Sequence, residues 1–464
     1  MKLRINAFFI FLIAKILFFL TGVFKKSPEA CLLGDSWILH KMAVNYIDTG
    51  LMSYLDSTVT LFQLPFYPWL ISIFYRIFGE DPRYILAFQI VMSSVLFSVI
   101  YKTFKHTVPT HSWVFLLFLI LDIHILLYSS CLLTEFWVCF FWNLAWVCLY
   151  YFKKTDSRLY LVLWSVLLGF AAWTKPFTVF LFPFMFVCLL IVSPWIRSKW
   201  KVFILTPLIY FLILAPLFFR NYQHTGEIGR YSTISSFNAW YFNIAYHESK
   251  IFNKSLQEVR TEKVNEMREF IELNSGRKID RIPESIANDR QAHVKALGVN
   301  EFEYSRYADK LASAYMKENF FSYAFNHLIS GINIFTVSNL SWLKNFYYSF
   351  EAISFSQLSF DQIKNLFVNP TKQLLLLIFR FYELAFILMC GIGFLLLLIF
   401  SLKELRLKLE IQYAILMIVY VTCISGVNVW GRFRYLFMPM FIYLGVLGYT
   451  HLKKKLKDKS NFVV

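Results

Sequence analysis

The sequence predicts an all-α polytopic membrane protein, with about 10 transmembrane helices (10–12) and a mostly helical loop domain. Three observations carry that expectation. Of 464 residues, 58% are hydrophobic and only 16% charged, and the mean hydropathy is +0.53. A soluble chain of this length does not bury that much apolar surface. Second, ten apolar runs reach or approach the roughly 20 residues that cross a bilayer. Third, lysine and arginine follow every second run, as they do in short cytoplasmic loops.

The runs are 5–24, 84–101, 113–130, 132–152, 159–173, 177–192, 200–219, 374–400, 411–427 and 435–452. The fifth and sixth are separated only by Thr174-Lys175-Pro176, where proline ends the preceding helix. The first run follows a basic start, like a signal peptide. It lacks a small-residue cleavage site and is expected to stay as a helix. The segment 320–342 is apolar enough to enter the membrane, though His327, Asn333 and Asn339 interrupt it.

Basic residues assign sides. Lys2 and Arg4 precede the first run; Lys102 and Lys105 follow the second; Lys153, Lys154 and Arg158 the fourth. Arg197, Lys199 and Lys201 follow the sixth, Lys403, Arg406 and Lys408 the eighth, and the tail is lysine-rich. Both termini are therefore expected in the cytoplasm. Two long segments, 25–83 and 220–372, then face outside. The expected division is 1–219 as an N-terminal membrane module that includes loop 25–83, 220–372 as a large extracytoplasmic loop domain, and 373–464 as C-terminal membrane helices. Within the second loop, 248–318 is charged, and its Glu and Lys spacing predicts solvated helix faces. Gly276 and Gly298 read as helix stops.

Composition also excludes functions. The net charge of +17 does not indicate nucleic acid, because the cations sit in short loops between apolar runs. Seven cysteines form neither a disulfide framework nor a zinc pattern. His224, His247, His293 and His327 lack metal-ligand spacing. Asp48 and Asp56 flank Gly50 as turn or cap residues.

Chemistry gathers in the outward loops. Asp35, about ten residues past the first run, is either an N-cap of the following helix or a general base at a lipid–water boundary. Glu135 begins the fourth helical run, and either favours its dipole or serves catalysis. Lys175 stands in an outer turn, Arg220-Asn221 close the seventh run, and Arg432, Arg434 and Tyr435 share the turn GRFRY. Gathered on one face, Lys175, Arg220, Arg432 and Arg434 would form a cationic pocket for phosphate. Ser36, His40, Asn221, Gln63 and Tyr67 are expected to position substrate. Asp122 and His124 in the third run read as structural hydrogen-bonding groups.

In its order of weak motifs the chain resembles the GT-C integral-membrane glycosyltransferases, especially the bacterial branch similar to protein O-mannosyltransferases and lipid A aminoarabinose transferases. The motifs are an acid in the first outer loop, Asp35, then Ala43 and Gly50; the stretch QLPFYPWL ending at Phe78-Gly79; Glu135; a helix ending in Thr174-Lys175-Pro176; Arg220-Asn221 with Ser232-Thr233 beyond; and Arg434-Tyr435 before Pro439. The chain departs from the pattern twice. Ser36 stands where many relatives have a second acid. Gln63-Leu64-Pro65 replaces a Lys-Pro-Pro stretch, which removes one lysine contact to phosphate and speaks against aminoarabinose.

The resemblance implies an inverting glycosyltransferase using a polyprenyl-phosphate sugar on the outer face of a bacterial-type cytoplasmic membrane. Asp35 would be the base, with Glu135 as a second catalytic carboxylate, and Lys175, Arg220, Arg432, Arg434 and Tyr435 would bind the donor phosphate. The acceptor is a lipid, glycan or protein; a divalent metal is an open cofactor. Alternatives are a non-catalytic transporter or flippase of lipid-linked sugars, which needs ionisable groups along a path such as Lys15, Asp122 and His124, and an O-antigen polymerase or ligase.

Overall fold

The structure, a computed structural model, describes residues 6–22, 27–32, 34–54, 59–280, 294–337, 372–400, 408–426 and 431–460. The expectations at Lys2, Arg4, Asp56, His293, Lys403, Arg406 and 338–342 fall outside these residues. Among the described residues every regular element is helical. Among the described residues four helices are long and apolar enough to cross a membrane: Pro82–Thr107, Thr134–Thr155, Trp200–Thr225 and Ile378–Phe400. Five shorter apolar helices accompany them, Ala7–Leu20, Pro109–Leu121, Arg158–Thr174, Pro176–Val192 and Leu409–Ser425. The last apolar run, from residue 438 on, forms part of the helix Met438–Ser460.

Local chemistry sets the helix ends. The apolar run 113–130 is not one helix. It breaks at Asp122, whose backbone is extended (φ −63°, ψ 115°) and whose Oδ1 accepts from the Ile125 N–H at 2.8 Å. An N-cap acid restarts the helix where its own backbone leaves the helical region. Lys175 is extended (φ −148°, ψ 132°), as a residue before proline tends to be. It thereby points out of the turn between two apolar helices.

The helix Thr134–Thr155 is the centre of the bundle: 78% of its apolar window is buried within the protein, against 28% for Trp200–Thr225. Its indoles pack inward. Trp146 stacks on Phe104 at 3.9 Å, and its Nε1 donates to the Glu410 carbonyl at 2.9 Å. Helices Lys372–Phe400 and Met438–Ser460 touch through glycines. A Cβ built on Gly448 would lie 1.7 Å from the Gly393 carbonyl oxygen, so only glycine allows that backbone approach.

Phe237, Trp240, Tyr241, Ile244, Met267, Ile271 and Tyr304 form a second, smaller core in the 226–337 region. The charge spacing there predicts a solvated face on the helix Leu256–Ser275, but Lys263 is buried. It pairs with Glu248 at 2.6 Å and Glu266 at 2.9 Å and lies over the Trp240 ring. Periodicity gives the face of a helix and not what the rest of the chain lays across it. Gly276 and Gly298 end their segments in the left-handed region (φ 67° and 62°), where a side chain would be strained. The helix Phe320–Ile332 has 13 residues, too short to span a bilayer, and leaves Phe320, Phe321 and Phe325 exposed.

Candidate functional site

One cavity of about 620 Å³ collects residues from separate parts of the chain: Asp35, Gln63, Thr134, Lys175 with Phe177, and Arg432 with Phe433 meet the 227–238 segment and Asp309. These are the segments that charge alternation puts on one side of the membrane. At the opposite end of the bundle, Lys199 reaches Asp156 at 2.5 Å, joining two of the basic connections.

Asp35 precedes the helix Ser36–Thr49, yet its side chain makes no cap hydrogen bond. It turns instead to Arg432, whose Nη1 donates to Oδ2 at 2.9 Å. Arg432 also places Nε 3.0 Å from Glu135 Oε1, as an ion pair outside hydrogen-bond geometry. Lys175 Nζ donates to that same Glu135 oxygen at 2.6 Å. Two carboxylates and two cations thus alternate as Asp35, Arg432, Glu135, Lys175. Glu135 is 1% exposed and sits behind the others, while Asp35 is 32% exposed and open to the cavity. Burial pulls the Lys175 ammonium below its ordinary value, and Glu135 pulls against it. Asp35 and Glu135 are the carboxylates a divalent ion would need. In this structure Arg432 and Lys175 pair with them. Among the described residues, no three His, Cys, Asp or Glu side chains stand close enough to hold a metal.

The expected single cationic pocket is divided. Lys175 and Arg432 share the cavity with Asp35. Arg220 lies on a second cavity of about 600 Å³, lined mainly by apolar side chains such as Trp69, Phe170 and Trp173. Its Nη2 donates to the Thr60 carbonyl at 3.1 Å. Arg434 is fully buried, so it does not reach the cavity. Its Nη2 donates to Glu383 at 2.6 Å and to the Val337 carbonyl at 2.8 Å, and its Nη1 to the Phe335 carbonyl at 2.9 Å. Tyr435 is buried against the Tyr128 ring.

The positioning residues also separate. Gln63 lines the cavity. Asn221 donates to the Arg230 and Tyr231 carbonyls at 3.1 and 2.7 Å, which fixes the turn forming one cavity wall. Ser36 Oγ donates to the Leu132 carbonyl at 2.8 Å and holds the start of its helix against the loop before Glu135. His40 meets the Tyr75 hydroxyl at 2.8 Å, and Tyr67 donates to Gln89; neither residue lines the cavity.

Two acids escaped the sequence reading. Glu383 lies inside an apolar run and gathers His124 at 3.0 Å, Arg434 at 2.6 Å and Arg380 at 3.2 Å. An acid at membrane depth is itself a signal. Glu301 opens the helix Glu301–Glu318. It accepts from Thr60 Oγ1 at 2.7 Å, the Leu61 N–H at 3.0 Å and Thr233, tying the first loop to the second. Burial raises its carboxyl above the usual range against those bonds. Nothing in the spacing marked it.

At one end of the helical bundle a loop acid, a buried acid and two cations thus meet at one cavity. Residues 63–219, about a third of the chain, match the family model described as dolichyl-phosphate-mannose-protein mannosyltransferase. No curated protein matches the chain. Among solved structures it is similar to the oligosaccharyltransferase AglB from Archaeoglobus fulgidus, in complex with an inhibitory peptide and a dolichol-phosphate, at 13% identity and TM-score 0.43, covering 98% of this chain and 52% of AglB. It is also similar to ArnT from Cupriavidus metallidurans bound to undecaprenyl phosphate, at 11% identity and TM-score 0.38, covering 96% of this chain and 77% of ArnT. The chain therefore spans about half the length of AglB.

Proposed function

We propose that the protein is an inverting glycosyltransferase that moves a sugar from a polyprenyl-phosphate donor to an acceptor hydroxyl. Its site faces the outer side of a cytoplasmic membrane. The acceptor oxygen bonds to the anomeric carbon from the face opposite the phosphate. The bond from that carbon to the phosphate oxygen breaks, and its electron pair leaves with polyprenyl phosphate. The acceptor proton passes to the Asp35 carboxylate and then to water. The leaving group is anionic and needs cations rather than an acid. Lys175 and Arg432 are the cations beside Asp35, and Glu135 holds both in place.

One observation carries this reading: Asp35 does not cap its helix and faces the cavity on Arg432, which reaches back to Glu135. Transport has less support. Lys15 Nζ is held by Ser93 at 2.7 Å, Ser129 at 3.1 Å and the Ile125 carbonyl at 3.2 Å, and Asp122 caps a helix; these groups brace packed helices.

The test is Asp35→Asn, assayed for transfer in liposomes with a polyprenyl-phosphate sugar beside a donor-binding measurement. Turnover is expected to fall roughly a hundredfold or more, the scale of a positioned base, with donor binding retained. Full transfer by the Asn variant would remove Asp35 from the mechanism.

A further inference from the structure

The helix Phe320–Ile332 carries its faces the wrong way round for water. Phe320, Phe321, Phe325, Leu328, Ile329 and Ile332 recur at helical spacing on one face, and each is at least 49% exposed. The face turned to the protein is small and polar. Ser330 and Gly331 are the buried residues of the helix. His327 Nε2 donates to the Cys423 carbonyl at 3.0 Å, and Tyr323 packs against the His247 ring. A helix on a water-facing surface buries its apolar side and shows its polar one. The reverse arrangement suits a helix whose outer surroundings are hydrocarbon.

The place of the helix fits lipid. It lies across the C-terminal end of the apolar helix Leu409–Ser425. A Cβ built on Gly331 would lie 2.1 Å from the Thr422 carbonyl oxygen, so the two backbones touch there. Thr422 and Cys423 stand two or three residues before the end of that helix, about 3–5 Å along its axis. Ile424, next in the chain, lines the cavity that holds Asp35, so this helix and the cavity share one end of the bundle. Exposed apolar side chains continue from it onto two bundle helices. Val419 is exposed on Leu409–Ser425, and Ile378 and Phe381 flank Arg380, which donates to the Thr336 carbonyl. Thirteen residues make about 20 Å of helix, too little to cross a bilayer and enough to lie along one.

We propose that the helix Phe320–Ile332 is an interfacial anchor: it lies in the plane of the membrane on the cavity side, with its apolar face in the acyl chains of that leaflet. The partner is the bilayer itself. A second copy of the chain is the other occupant for an apolar face, and the continuity with the exposed flanks of two bundle helices favours lipid. The proposal stands apart from the transfer reading, because it needs a bilayer and no reaction. It also gives the leaflet a structural part. The anchor joins the helix Glu301–Glu318 of the smaller core to the 333–337 segment, whose Phe335 and Val337 carbonyls accept from Arg434. The leaflet thereby supports the turn that carries Arg432.

The experiment attaches a nitroxide at one added cysteine at a time in the full chain, in liposomes of phosphatidylcholine and phosphatidylglycerol. Phe321→Cys, Phe325→Cys and Ile329→Cys sample the exposed face, and three sites are used so that loss of folded protein in one variant leaves two. Lys317→Cys, at an exposed position on the preceding helix, marks water. Cys423, an exposed native thiol, is replaced by Cys423→Ser throughout, and the chain without an added cysteine gives the baseline. Collision with oxygen, which concentrates in hydrocarbon, is compared with collision with a nickel chelate, which stays in water. Oxygen should prevail at 321, 325 and 329, at about 5–10 Å below the headgroups, and the chelate at 317. The three depths should agree to within a few Å. A difference near 12 Å between 321 and 329, about the rise of eight helical residues, would stand the helix upright and overturn the interfacial placement. The chelate prevailing on the apolar face overturns it as well, because that face would then lie in water. Low collision with both reagents would put protein over the face, a second copy or another part of the chain, and is the third result that defeats the proposal.

Discussion

Arg432 and Arg434 stand two residues apart on one turn, Gly431–Leu436, and live in different worlds. Arg432 reaches Asp35 and Glu135 at the edge of a cavity, with Asp35 a third exposed. Arg434 is sealed, with Glu383, His124 and the carbonyls of Phe335 and Val337 around its guanidinium. Residues two apart in a 3₁₀ turn of three residues per turn point in different directions, so one short turn serves two clusters. The open cluster keeps a carboxylate and two cations within reach of a ligand. The sealed one ties the turn to the helix Lys372–Phe400 and to the 333–337 segment, and so holds Arg432 where it is. Ionisable groups near a membrane thus divide into those that meet a ligand and those that hold these in place.

The largest expected effect breaks the sealed cluster. Glu383→Ala strands the Arg434 guanidinium in the interior, and removing one partner of a buried pair costs about 3–5 kcal/mol. Folded yield and thermal unfolding in detergent should both drop sharply, whatever substrate is present. Burial already pulls the Arg434 guanidinium below its ordinary value against the attraction of Glu383, so losing that carboxylate leaves the charge without its main counterweight. A variant that melts like the parent would show the cluster to be idle.

Arg432→Ala sharpens the contrast from the other side. The open cluster loses a cation that acts on the leaving phosphate, and transfer is expected to fall about 10²–10³-fold, the usual cost of one preorganised donor. Thermal stability should change less than in Glu383→Ala, because the buried Glu135 keeps Lys175 at 2.6 Å and Asp35 can turn to water. Arg432→Lys restores the charge without the planar fork and should recover only part of the rate. Equal melting losses in Arg432→Ala and Glu383→Ala would erase the distinction between the clusters.

Lys175 gives a smaller, pH-dependent effect. Its ammonium is needed in the charged form, and burial holds it below the ordinary lysine range. Charge is lost as pH rises through that lowered value, so transfer should decline on the alkaline side earlier than an exposed lysine would dictate. In Lys175→Arg the guanidinium stays charged, and the alkaline decline should move to higher pH. A pH–rate profile identical in both proteins would detach the decline from Lys175.

The open cluster could be read from the sequence because its members sit in turns between apolar runs, where charges stand out: Asp35, Glu135, Lys175 and Arg432 were each visible. How they are shared was not. Arg432 and Arg434 look alike in GRFRY, and only the position of Glu383 within an apolar helix decides which is buried. In sequence Arg220 reads as one more phosphate contact, but its bond to the Thr60 carbonyl and its place in the helix Thr206–Thr225 put it at another cavity. Lys263 fitted a solvated spacing and is covered by Trp240, which lies 23 residues earlier in the chain. Helices follow from local composition; pairings across 40 or 397 residues, such as Lys175 with Glu135 or Arg432 with Asp35, need the packed bundle.

The smallest effect separates the two readings of Asp35 by stability alone. A residue whose side chain caps a helix is replaced well by Asn and poorly by Ala, a difference of about 1 kcal/mol. Here the Asp35 side chain makes no cap bond; its interaction with Arg432 is a partly exposed ion pair, worth about 0–1 kcal/mol. Asn and Ala both lose that pair, and neither loses a cap. Asp35→Asn and Asp35→Ala should therefore melt within about 0.5 kcal/mol of each other, the ordinary spread of surface substitutions. Thermal unfolding of the two variants side by side measures this without a substrate. A clear advantage for Asn would return Asp35 to a capping role and leave the carboxylate partner of Arg432 without a catalytic reason.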